Sequence, residues 1–496
     1  MVGENGNDDA PQAQAQAQAG AGAGAQPGDD VSTTGRADSG SADVERAKPG
    51  PPFTSLDNAL EWLDNHIDFE STMPSRRALP TLDRMKSLMA VLGDPHESIP
   101  SVHVTGTNGK GSTSAMVSAL MMAQGLSVGT FTSPNLHRVS ERLARNSQPI
   151  DDETFVGVLS ELALLEPLVI ERPTRFELLT AAALSWFAED VVDAMVIEVG
   201  LGGTWDSTNV LHGDVAVLTN FSYDHTDVLG PTLEGIAEDK SGIIEAGSMV
   251  IVGETDPDLV AIVEAHAARV GAAGVWVADR DFGCEDNRVA VGGRLVTLWT
   301  PGGRYEDVLV PLHGAHQGKN AAGALAAAEA FFGRPLDPEV VEEGFGVVRV
   351  PGRLEVLGRR PLLLVDGAHN VAGMTALGLA LAEEFAVEGN SVAVIGMLSG
   401  RDPSAMVAAL APSDVTTVVA CQPDSPRAVP ASDVADAARA LGLNVHVEPS
   451  VLDALALARS LVNARGLVVV TGSMYTVGTA RGEILAGAVR WEDAGR

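Results

Sequence analysis

The stretch from Val102 to Thr113 is the part of the chain that most restricts its fold. It begins with the pattern of a buried strand, continues through a glycine-rich turn that contains Lys110, and leads into helical spacing from Ser112 to Gln124. A glycine loop between a strand and a helix presents backbone N–H groups and partial positive charge to a phosphate. The stretch therefore predicts an anion site in which Lys110 binds β- and γ-phosphates and the hydroxyl of Ser112 or Thr113 helps to hold Mg²⁺.

This loop departs from the standard phosphate-binding loop in two places. Two residues separate Gly106 from Gly109 where the standard pattern has four, and Gly111 follows Lys110 where Ser or Thr is usual. Taken alone, the stretch is either a glycine turn before a helix or a variant phosphate-binding loop.

Length, charge and cysteine content limit the class of protein. A chain of 496 residues favours two folded domains. It has no apolar run near the length of a membrane span and no signal-peptide pattern, and its two distant cysteines, Cys284 and Cys421, fit a reducing compartment. We therefore expect a cytoplasmic protein that does not bind membranes. The formal charge of −33, of which −5 lies in residues 1–50 and −28 in residues 51–496, argues against nucleic-acid binding.

Composition and periodicity divide the chain into three parts. Residues 1–50 consist of Ala-Gln, Ala-Gly and polar repeats, which bury too little apolar surface to offset the entropy of ordering, so we predict a disordered tail. Residues 51–348 alternate strand and helix patterns and predict an α/β domain of the P-loop ATPase type with a mostly parallel sheet. Residues 349–496 alternate again and predict a smaller, Rossmann-like C-terminal α/β domain.

The predicted elements can be given by their bounds. Helices are expected after a cap at Thr54 or Ser55 and over residues 82–92, 174–188, 258–270, 320–332, 431–441 and 452–462. Strands are expected near 127–132 and over residues 194–198, 215–219, 362–365, 391–395, 416–420, 444–447 and 466–470, and residues 289–298 predict a β-hairpin.

Four polar residues follow successive predicted strands of the first domain: Lys110, Ser133, Glu198 and His225. Each has an ordinary structural explanation as a turn residue, a satisfied buried acid or a hydrogen-bonding histidine. Parallel strands, however, deliver such residues to one edge of the sheet, where ligands bind. Glu198 is then the natural anchor for Mg²⁺, which tolerates one imidazole, and two Mg²⁺ would neutralise a triphosphate.

The ordered motifs of the chain resemble those of the folylpolyglutamate synthase / dihydrofolate synthase branch of the Mur ligase superfamily. The nucleotide loop Gly-Thr-Asn-Gly-Lys-Gly-Ser is similar to that of the family, and Asn135 and Thr204 stand where the family usually has His and Arg. The remaining similar segments lie at 133–136, 176–180, 198–209, 224–230, 240–244, 316–317, 320–322, 351–353, 366–370 and 471–475.

The resemblance implies a role for each of these segments. The nucleotide loop and the second half of the chain would bind ATP through Thr107, Asn108, Gly109, Lys110, Gly111, Ser112, Asn320, Arg353 and Asp366. The Mg²⁺ ligands would be Ser133, Glu198, His225 and a carbamylated Lys240. The pteroate or folate site would be lined by Ala78, Leu79, Pro80, Thr174, Arg175, Phe176, Glu177, Trp205, Asp206 and Ser207, and His369 and Ser473 would act on the incoming glutamate.

The resemblance also implies the reaction and its partners. A carboxylate would attack the γ-phosphate of ATP, and the acyl phosphate would then react with the amine of L-glutamate. The loop Arg76-Arg77-Ala78-Leu79-Pro80 resembles a wall for dihydropteroate, so we expect a monomeric, bifunctional ligase that extends both dihydropteroate and reduced folates. Three different functions would also fit parts of the pattern: a folylpolyglutamate synthase alone, a Mur-type ligase of cell-wall synthesis, or an ATP-binding regulatory module without catalysis.

Overall fold

The computed structural model describes residues 52–72, 81–487, 489 and 491. The predicted tail at residues 1–50 and the predicted substrate residues Ala78, Leu79 and Pro80 lie outside these residues. None of the described helices is both long enough and apolar enough to span a bilayer.

The nucleotide-loop stretch lies in the middle of an eight-stranded sheet. Six strands are parallel, and two antiparallel strands extend one edge. The strand order is β4-β3-β2-β5-β1-β6-β7-β8. The strands are β1 (Ser101–Thr105), β2 (Val128–Phe131), β3 (Leu143–Arg145), β4 (Gln148–Pro149), β5 (Ala194–Glu198), β6 (Val215–Leu218), β7 (Met249–Val252) and β8 (Gly274–Val277).

Helices cover both faces of this sheet, which is why β1 is buried along its whole length. Val102 and Val104 pack on one face with apolar residues of the helix that follows the loop, and Met195 and Ile197 pack on the other. The helices of this part are α1 (Leu56–Asp64), α2 (Asp83–Leu92), α3 (Lys110–Ala123), α4 (Asp152–Leu165), α5 (Arg175–Glu189), α6 (Thr226–Leu229), α7 (Leu233–Ser241) and α8 (Pro257–Val270).

A three-stranded antiparallel sheet and two helices follow. The predicted hairpin is present, but its second strand also pairs with a third strand that the sequence pattern did not indicate. The long alanine-rich helix begins at His316 and not at Asn320, because the apolar spacing used for the prediction starts only after its polar first turn. These elements are β9 (Gly283–Ala290), β10 (Gly293–Thr300), β11 (Gly303–Val310), α9 (His316–Phe332) and α10 (Pro338–Gly346).

The last part of the chain forms a six-stranded sheet with the order β12-β13-β17-β14-β15-β16. Its first strand is antiparallel and the others are parallel, as an α/β domain requires. The predicted fold class is thus confirmed. The elements are β12 (Glu355–Arg359), β13 (Leu362–Val365), α11 (Val371–Glu384), β14 (Ser391–Ile395), α12 (Pro403–Ala408), β15 (Val415–Ala420), α13 (Ala431–Ala440), β16 (Asn444–Val447), α14 (Val451–Leu461), β17 (Leu467–Thr471) and α15 (Met474–Leu485).

Candidate active site

The glycine loop between β1 and α3 packs too closely on its neighbours to hold larger side chains. Gly109 has a φ of +86°, and a Cβ there would lie 2.6 Å from Oδ1 of Asn320. A Cβ on Gly106 would lie 1.8 Å from Oγ1 of Thr219. The glycines therefore allow the loop to lie directly against α9 and the end of β6, with its backbone facing a cavity.

Lys110 is the first residue of α3, and its side chain turns back over the loop. Nζ of Lys110 donates to the carbonyl oxygen of Gly106 at 3.1 Å and to that of Thr107 at 3.4 Å. Both acceptors are neutral carbonyl oxygens, so the side chain of Lys110 is available to a phosphate entering the cavity.

The four strand-end residues converge as the strand-edge rule predicts. Lys110, Ser133, Glu198 and His225 follow β1, β2, β5 and β6, which are neighbours in the sheet, and all four line one cavity of about 460 Å³. The same cavity is lined by further residues that the resemblance implied: Thr107, Asn108, Gly109, Gly111, Ser112, Lys240, Asn320, Arg353, Asp366 and His369.

Glu198 and His225 have the protonation behaviour of candidate metal ligands. Burial raises the pKa of Glu198, and the nearby charge of Lys110 is the largest effect opposing that shift. The only hydrogen bond to its carboxylate from the described residues is from N of Ser133, at 3.2 Å. Burial lowers the pKa of His225 to about 3, so its imidazole is neutral at neutral pH. A buried carboxylate and a neutral imidazole in the same cavity are donors that Mg²⁺ accepts.

These donors do not form a complete metal cage by themselves. No group of three or more His, Cys, Asp or Glu side chains within the described residues has the geometry to hold a metal ion. The residues fit a Mg²⁺ that takes its other oxygen ligands from phosphate, hydroxyl and water, which is how Mg²⁺ is bound at phosphoryl-transfer sites.

Lys240 lies on α7 and is buried, so it is not a surface lysine. Its Nζ donates to the carbonyl oxygen of Gly106 at 3.0 Å, the same oxygen that Lys110 contacts. Burial, and next the charge of Lys110, lower the pKa of Lys240 to about 7. A substantial fraction of this amine is therefore neutral and nucleophilic at neutral pH.

The structure distinguishes the two hydroxyls that follow the loop. Ser112 lines the cavity, and its Oγ is 3.5 Å from Nε2 of Gln317. Thr113 points into the interior, where its hydroxyl has no partner among the described residues. Of these two hydroxyls, only that of Ser112 is placed to contact a ligand in the cavity.

The ATP residues implied for the second half reach the same cavity from α9 and from the loops around β13. Nδ2 of Asn320 donates to Oε1 of Gln317 at 3.0 Å. Asp366 accepts from N of Leu354 at 2.8 Å and from N of Ala368 at 2.9 Å, so its carboxylate also fixes the two loops beside it. Arg353 lies in one of these loops, and its charge acts on Glu198.

A second cavity of about 190 Å³ adjoins the first. Both cavities are lined by Ser133, His225 and His369, so they meet beside the candidate metal ligands. The implied substrate residues that line the second cavity are Thr174, Phe176, Glu177, Trp205, Asp206 and Ser207, and Ser473 lines it from the opposite side.

Several of these substrate residues also have structural roles. Thr174 caps α5 in a reciprocal pair with Glu177, and Nε of Arg84 donates to both carboxylate oxygens of Glu177 at 3.2 Å. Arg175 does not line either cavity, since its guanidinium pairs with Asp64 at 2.9 Å.

The loop that follows β5 is tied down by its own side chains. Asp206 accepts from N of Leu201 at 2.9 Å and from Oγ1 of Thr208 at 2.6 Å. Ser207 and Thr180 share a hydrogen bond of 2.8 Å between their hydroxyls. These bonds hold Trp205 in the wall of the second cavity.

The two residues implied for glutamate are held by local hydrogen bonds. Nδ1 of His369 donates to the carbonyl oxygen of Gly367 at 2.8 Å, and Nε2 lies 3.5 Å from Oδ2 of Asp224. The hydroxyl of Ser473 caps α15 by accepting from N of Thr476 at 3.1 Å. The N-terminus of α15 therefore faces the cavity, where its partial positive charge favours a carboxylate.

The sequence analysis did not identify Asp224, which connects the two halves of the site. One carboxylate oxygen accepts from Nη2 of Arg401 at 3.1 Å, and the other accepts from Nδ2 of Asn370 at 2.9 Å. Burial by itself would raise the pKa of Asp224, but the hydrogen bond from His369 and the charge of Arg401 hold it well below its usual range. The carboxylate is therefore ionised and bridges both sheets of the protein.

Two arginines of the second cavity were also missed. Arg401 follows β14 and Arg427 follows β15. The rule that ligands gather at the carboxyl ends of parallel strands, applied to the second sheet as well as the first, would have indicated both.

The departures from the family pattern have defined contacts. Oδ1 of Asn135 accepts from Nε of Arg142 at 2.8 Å, and the same buried guanidinium pairs with both carboxylate oxygens of Glu70, at 2.8 and 2.6 Å. The hydroxyl of Thr204 donates to the carbonyl oxygen of Asp239, next to Lys240, at 2.9 Å. Asn135 thus supports one cavity wall and Thr204 fixes the loop against α7.

Comparison with known proteins agrees with this geometry. The family model for the Mur ligase middle domain matches residues 104–328, and the model for the Mur ligase glutamate ligase domain matches residues 352–474. The chain is 37% identical over 489 residues to the dihydrofolate synthase/folylpolyglutamate synthase of Mycobacterium tuberculosis, covering 91% of this chain and 98% of that one.

Solved structures give the same result. A structure of Mycobacterium tuberculosis folylpolyglutamate synthase complexed with ADP and AMPPCP aligns with a TM-score of 0.80 at 37% identity and covers 86% of this chain and 97% of that one. A bifunctional folylpolyglutamate synthase/dihydrofolate synthase with Mn, AMPPNP and L-glutamate bound aligns with a TM-score of 0.76 at 29% identity and covers 86% and 98%.

Proposed function

The chain belongs to the dihydrofolate synthase/folylpolyglutamate synthase family of Mur ligases, and on this basis we propose that it joins L-glutamate both to dihydropteroate and to the γ-carboxylate of reduced folates, using ATP. Membership of this family argues against a ligase of cell-wall synthesis and against a regulatory module without catalysis.

One observation carries the proposal: the two cavities meet at Ser133, His225 and His369. The larger cavity has the glycine loop and Lys110, which suit a triphosphate. The smaller has aromatic walls at Phe176 and Trp205, which suit a flat ring system. A carboxylate at the inner end of the smaller cavity would therefore face the γ-phosphate in the larger one.

The chemistry needs positioning and charge neutralisation more than a proton-transferring side chain. An oxygen of the acceptor carboxylate attacks the γ-phosphorus, the bond to the β–γ bridging oxygen breaks, and ADP leaves. The amine nitrogen of glutamate then attacks the acyl carbon of the acyl phosphate, inorganic phosphate leaves with the bonding electrons, and the nitrogen loses a proton. Lys110 would stabilise negative charge on the transferred phosphoryl group, and burial would keep water from the acyl phosphate.

The remaining residues have proposed roles in binding. Thr107 to Ser112, Asn320, Arg353 and Asp366 would hold ATP, and His369 with Ser473 and the N-terminus of α15 would hold the incoming glutamate. Ser133, Glu198 and His225 would hold divalent metal, which neutralises triphosphate charge when bound.

We further propose that Lys240 is carbamylated. Two ammonium groups that share the carbonyl oxygen of Gly106 repel each other, and the pKa of Lys240, about 7, makes its neutral amine available. The amine nitrogen would attack the carbon of CO₂, one C=O electron pair would move to oxygen, and the nitrogen would lose a proton. The resulting carbamate would attract Lys110 and supply hard oxygen ligands for a second Mg²⁺.

The activity is tested with purified protein, Mg²⁺, ATP and glutamate plus either dihydropteroate or tetrahydrofolate. We expect phosphate release and a product longer by one glutamyl group with each acceptor, and none when glutamate is omitted. Turnover of tetrahydrofolate without any turnover of dihydropteroate would reduce the function to a folylpolyglutamate synthase. Turnover of neither would contradict the proposal.

The carbamate is tested with Lys240→Ala. We expect this variant to fold but to lose turnover, and small carboxylates such as acetate to restore part of it by filling the vacated space. Isotopically labelled bicarbonate should label the wild-type protein and leave Lys240→Ala unlabelled. Equal labelling of both proteins would refute the assignment.

A further inference from the structure

We propose that Arg427 binds the α-carboxylate of the terminal glutamate on a folate acceptor, a group that dihydropteroate lacks, and so serves only one of the two reactions. The inference rests on the proposed function, because it assigns a specificity-determining residue within the same acceptor cavity. It makes Arg427 a residue that distinguishes the two acceptors.

The position of Arg427 places it on the acceptor side of the cavity. Its Nη1 donates to the carbonyl oxygen of Glu70 at 2.9 Å, so a side chain from the second sheet reaches the wall built by the N-terminal helical region. Its second hydrogen bond is a long one, from Nη2 to the carbonyl oxygen of Ser399 at 3.4 Å. Both partners are neutral carbonyl groups.

Arg427 is also the cation of this wall whose charge has no partner. Arg401 and Arg427 are the only Lys or Arg side chains lining the smaller cavity within the part of the chain that the structure describes. Arg401 is paired with Asp224 at 3.1 Å, whereas no carboxylate of the described residues lies within salt-bridge distance of Arg427. Glu70 is not available to it, since both of its carboxylate oxygens are bonded to Arg142.

The electrostatic surroundings favour an anion at this point. Burial, and next the charge of Arg401, lower the pKa of Arg427. The carboxylates that line this cavity already have partners, since Glu70 pairs with Arg142, Glu177 pairs with Arg84, and Asp206 accepts from Thr208. A bound carboxylate would compensate the charge of Arg427 and could accept two parallel hydrogen bonds from its guanidinium.

The chemistry of the acceptors identifies which carboxylate this is. In dihydropteroate the benzoyl carboxylate is itself activated, so no second carboxylate remains. In a reduced folate the γ-carboxylate is activated, and the α-carboxylate of the same glutamyl group stays ionised close to it. Only a reduced folate therefore carries an additional carboxylate that a cation in the cavity wall would stabilise.

The test measures KM for each acceptor in wild type and in Arg427→Gln. We expect KM for tetrahydrofolate to rise roughly tenfold to a hundredfold, the effect of losing a hydrogen-bonded ion pair. KM for dihydropteroate, and KM for glutamate measured with dihydropteroate, should stay within about twofold. Arg439→Gln, which removes an exposed arginine on α13 paired with Asp436, is the matched control and should change none of these values.

An acceptor analogue tests the same inference in the wild-type protein, so the result does not depend on how well the variant folds. In this analogue of tetrahydrofolate, 4-aminobutyrate replaces glutamate, so the reactive carboxylate stays and the α-carboxylate is absent. Wild type should bind the analogue as weakly as Arg427→Gln binds tetrahydrofolate, and the substitution should cause no further loss. An analogue bound as tightly as tetrahydrofolate by wild type would overturn the inference.

Two further results would also overturn it. A rise in KM for glutamate with both acceptors would show that Arg427 binds the incoming amino acid. An equal loss of both activities would show a general structural role. Failure of wild type to use either acceptor is a different result, which would contradict the proposed function itself.

Discussion

At the scale of single residues, the candidate site contains ionisable side chains that have few hydrogen-bond partners within the described part of the protein. Lys110 and Lys240 contact the same carbonyl oxygen, and Glu198 is buried with one backbone donor. Such groups are unfavourable in an empty cavity and favourable once phosphate or metal is bound.

Lys110→Ala should separate catalysis from stability. We expect turnover to fall by at least about a hundredfold, because a charge aimed at the transferred phosphoryl group is lost. The melting temperature should change by no more than about 2 °C, because the hydrogen bonds of this side chain among the described residues are to two loop carbonyls. Lys86→Ala, at an exposed position of α2, is the control and should retain full turnover. Full turnover in a folded Lys110→Ala protein would contradict the assignment of the loop.

At the scale of elements, a buried ion cluster joins the three-stranded sheet to the second half of the chain. Arg294 on β10 pairs with Glu384 at the end of α11 at 2.9 Å, and His313 pairs with the same carboxylate at 2.8 Å. Arg294 and Glu384 are each only 1% exposed in their side chains. The loop that leads into α9, and so to Asn320, is held through this cluster.

Arg294→Met should therefore be strongly destabilising. We expect the free energy of unfolding in urea to fall by about 3–5 kcal/mol, because Glu384 would lose its arginine partner while its side chain remains buried. Arg288→Met on the neighbouring strand removes an exposed arginine paired with Asp307, and should change the free energy by no more than about 0.5 kcal/mol. Equal effects of the two substitutions would mean that burial of the cluster does not determine its contribution.

At the scale of the whole molecule, the larger cavity is lined by residues that follow strands of the eight-stranded sheet and of the six-stranded sheet. Nδ2 of Asn370 donates to Oδ1 of Asn108 in the glycine loop at 3.0 Å and to Asp224 at 2.9 Å. ATP bound there would contact both halves of the chain, so we expect closure of one half on the other to be part of the cycle. The expected monomeric state and the domain bounds at residues 51–348 and 349–496 stay predictions.

The first 50 residues should be dispensable for folding and turnover. Their composition of Ala, Gln and Gly repeats offers too little apolar surface for a core. A chain that begins at Pro51 should keep its melting temperature and its activity with both acceptors. Calorimetry and a phosphate-release assay on the two chains check this, and a drop of several degrees would show that the first 50 residues pack on the rest.

The amino-acid sequence was sufficient for the elements whose signal is local. Glycines around Lys110, followed by helical spacing, indicated a strand, loop and helix because backbone freedom and periodicity depend on neighbouring residues. The strand-edge rule then brought Lys110, Ser133, Glu198 and His225 together, because adjacent parallel strands end at the same edge. The convergence of these four residues at one cavity therefore needed no knowledge of packing.

Contacts between distant parts of the chain became apparent only in the folded structure. Ser112 and Thr113 are adjacent hydroxyl residues on α3, and only the packing of that helix shows that Ser112 faces the cavity and Thr113 the interior. Asp224 and Arg401 are 177 residues apart, and Glu70 and Arg427 are 357 apart, so no local pattern records that they meet. The lowered pKa of Lys240 has the same kind of origin. It results from burial and from the charge of Lys110, and both depend on which residues the whole fold places around Lys240.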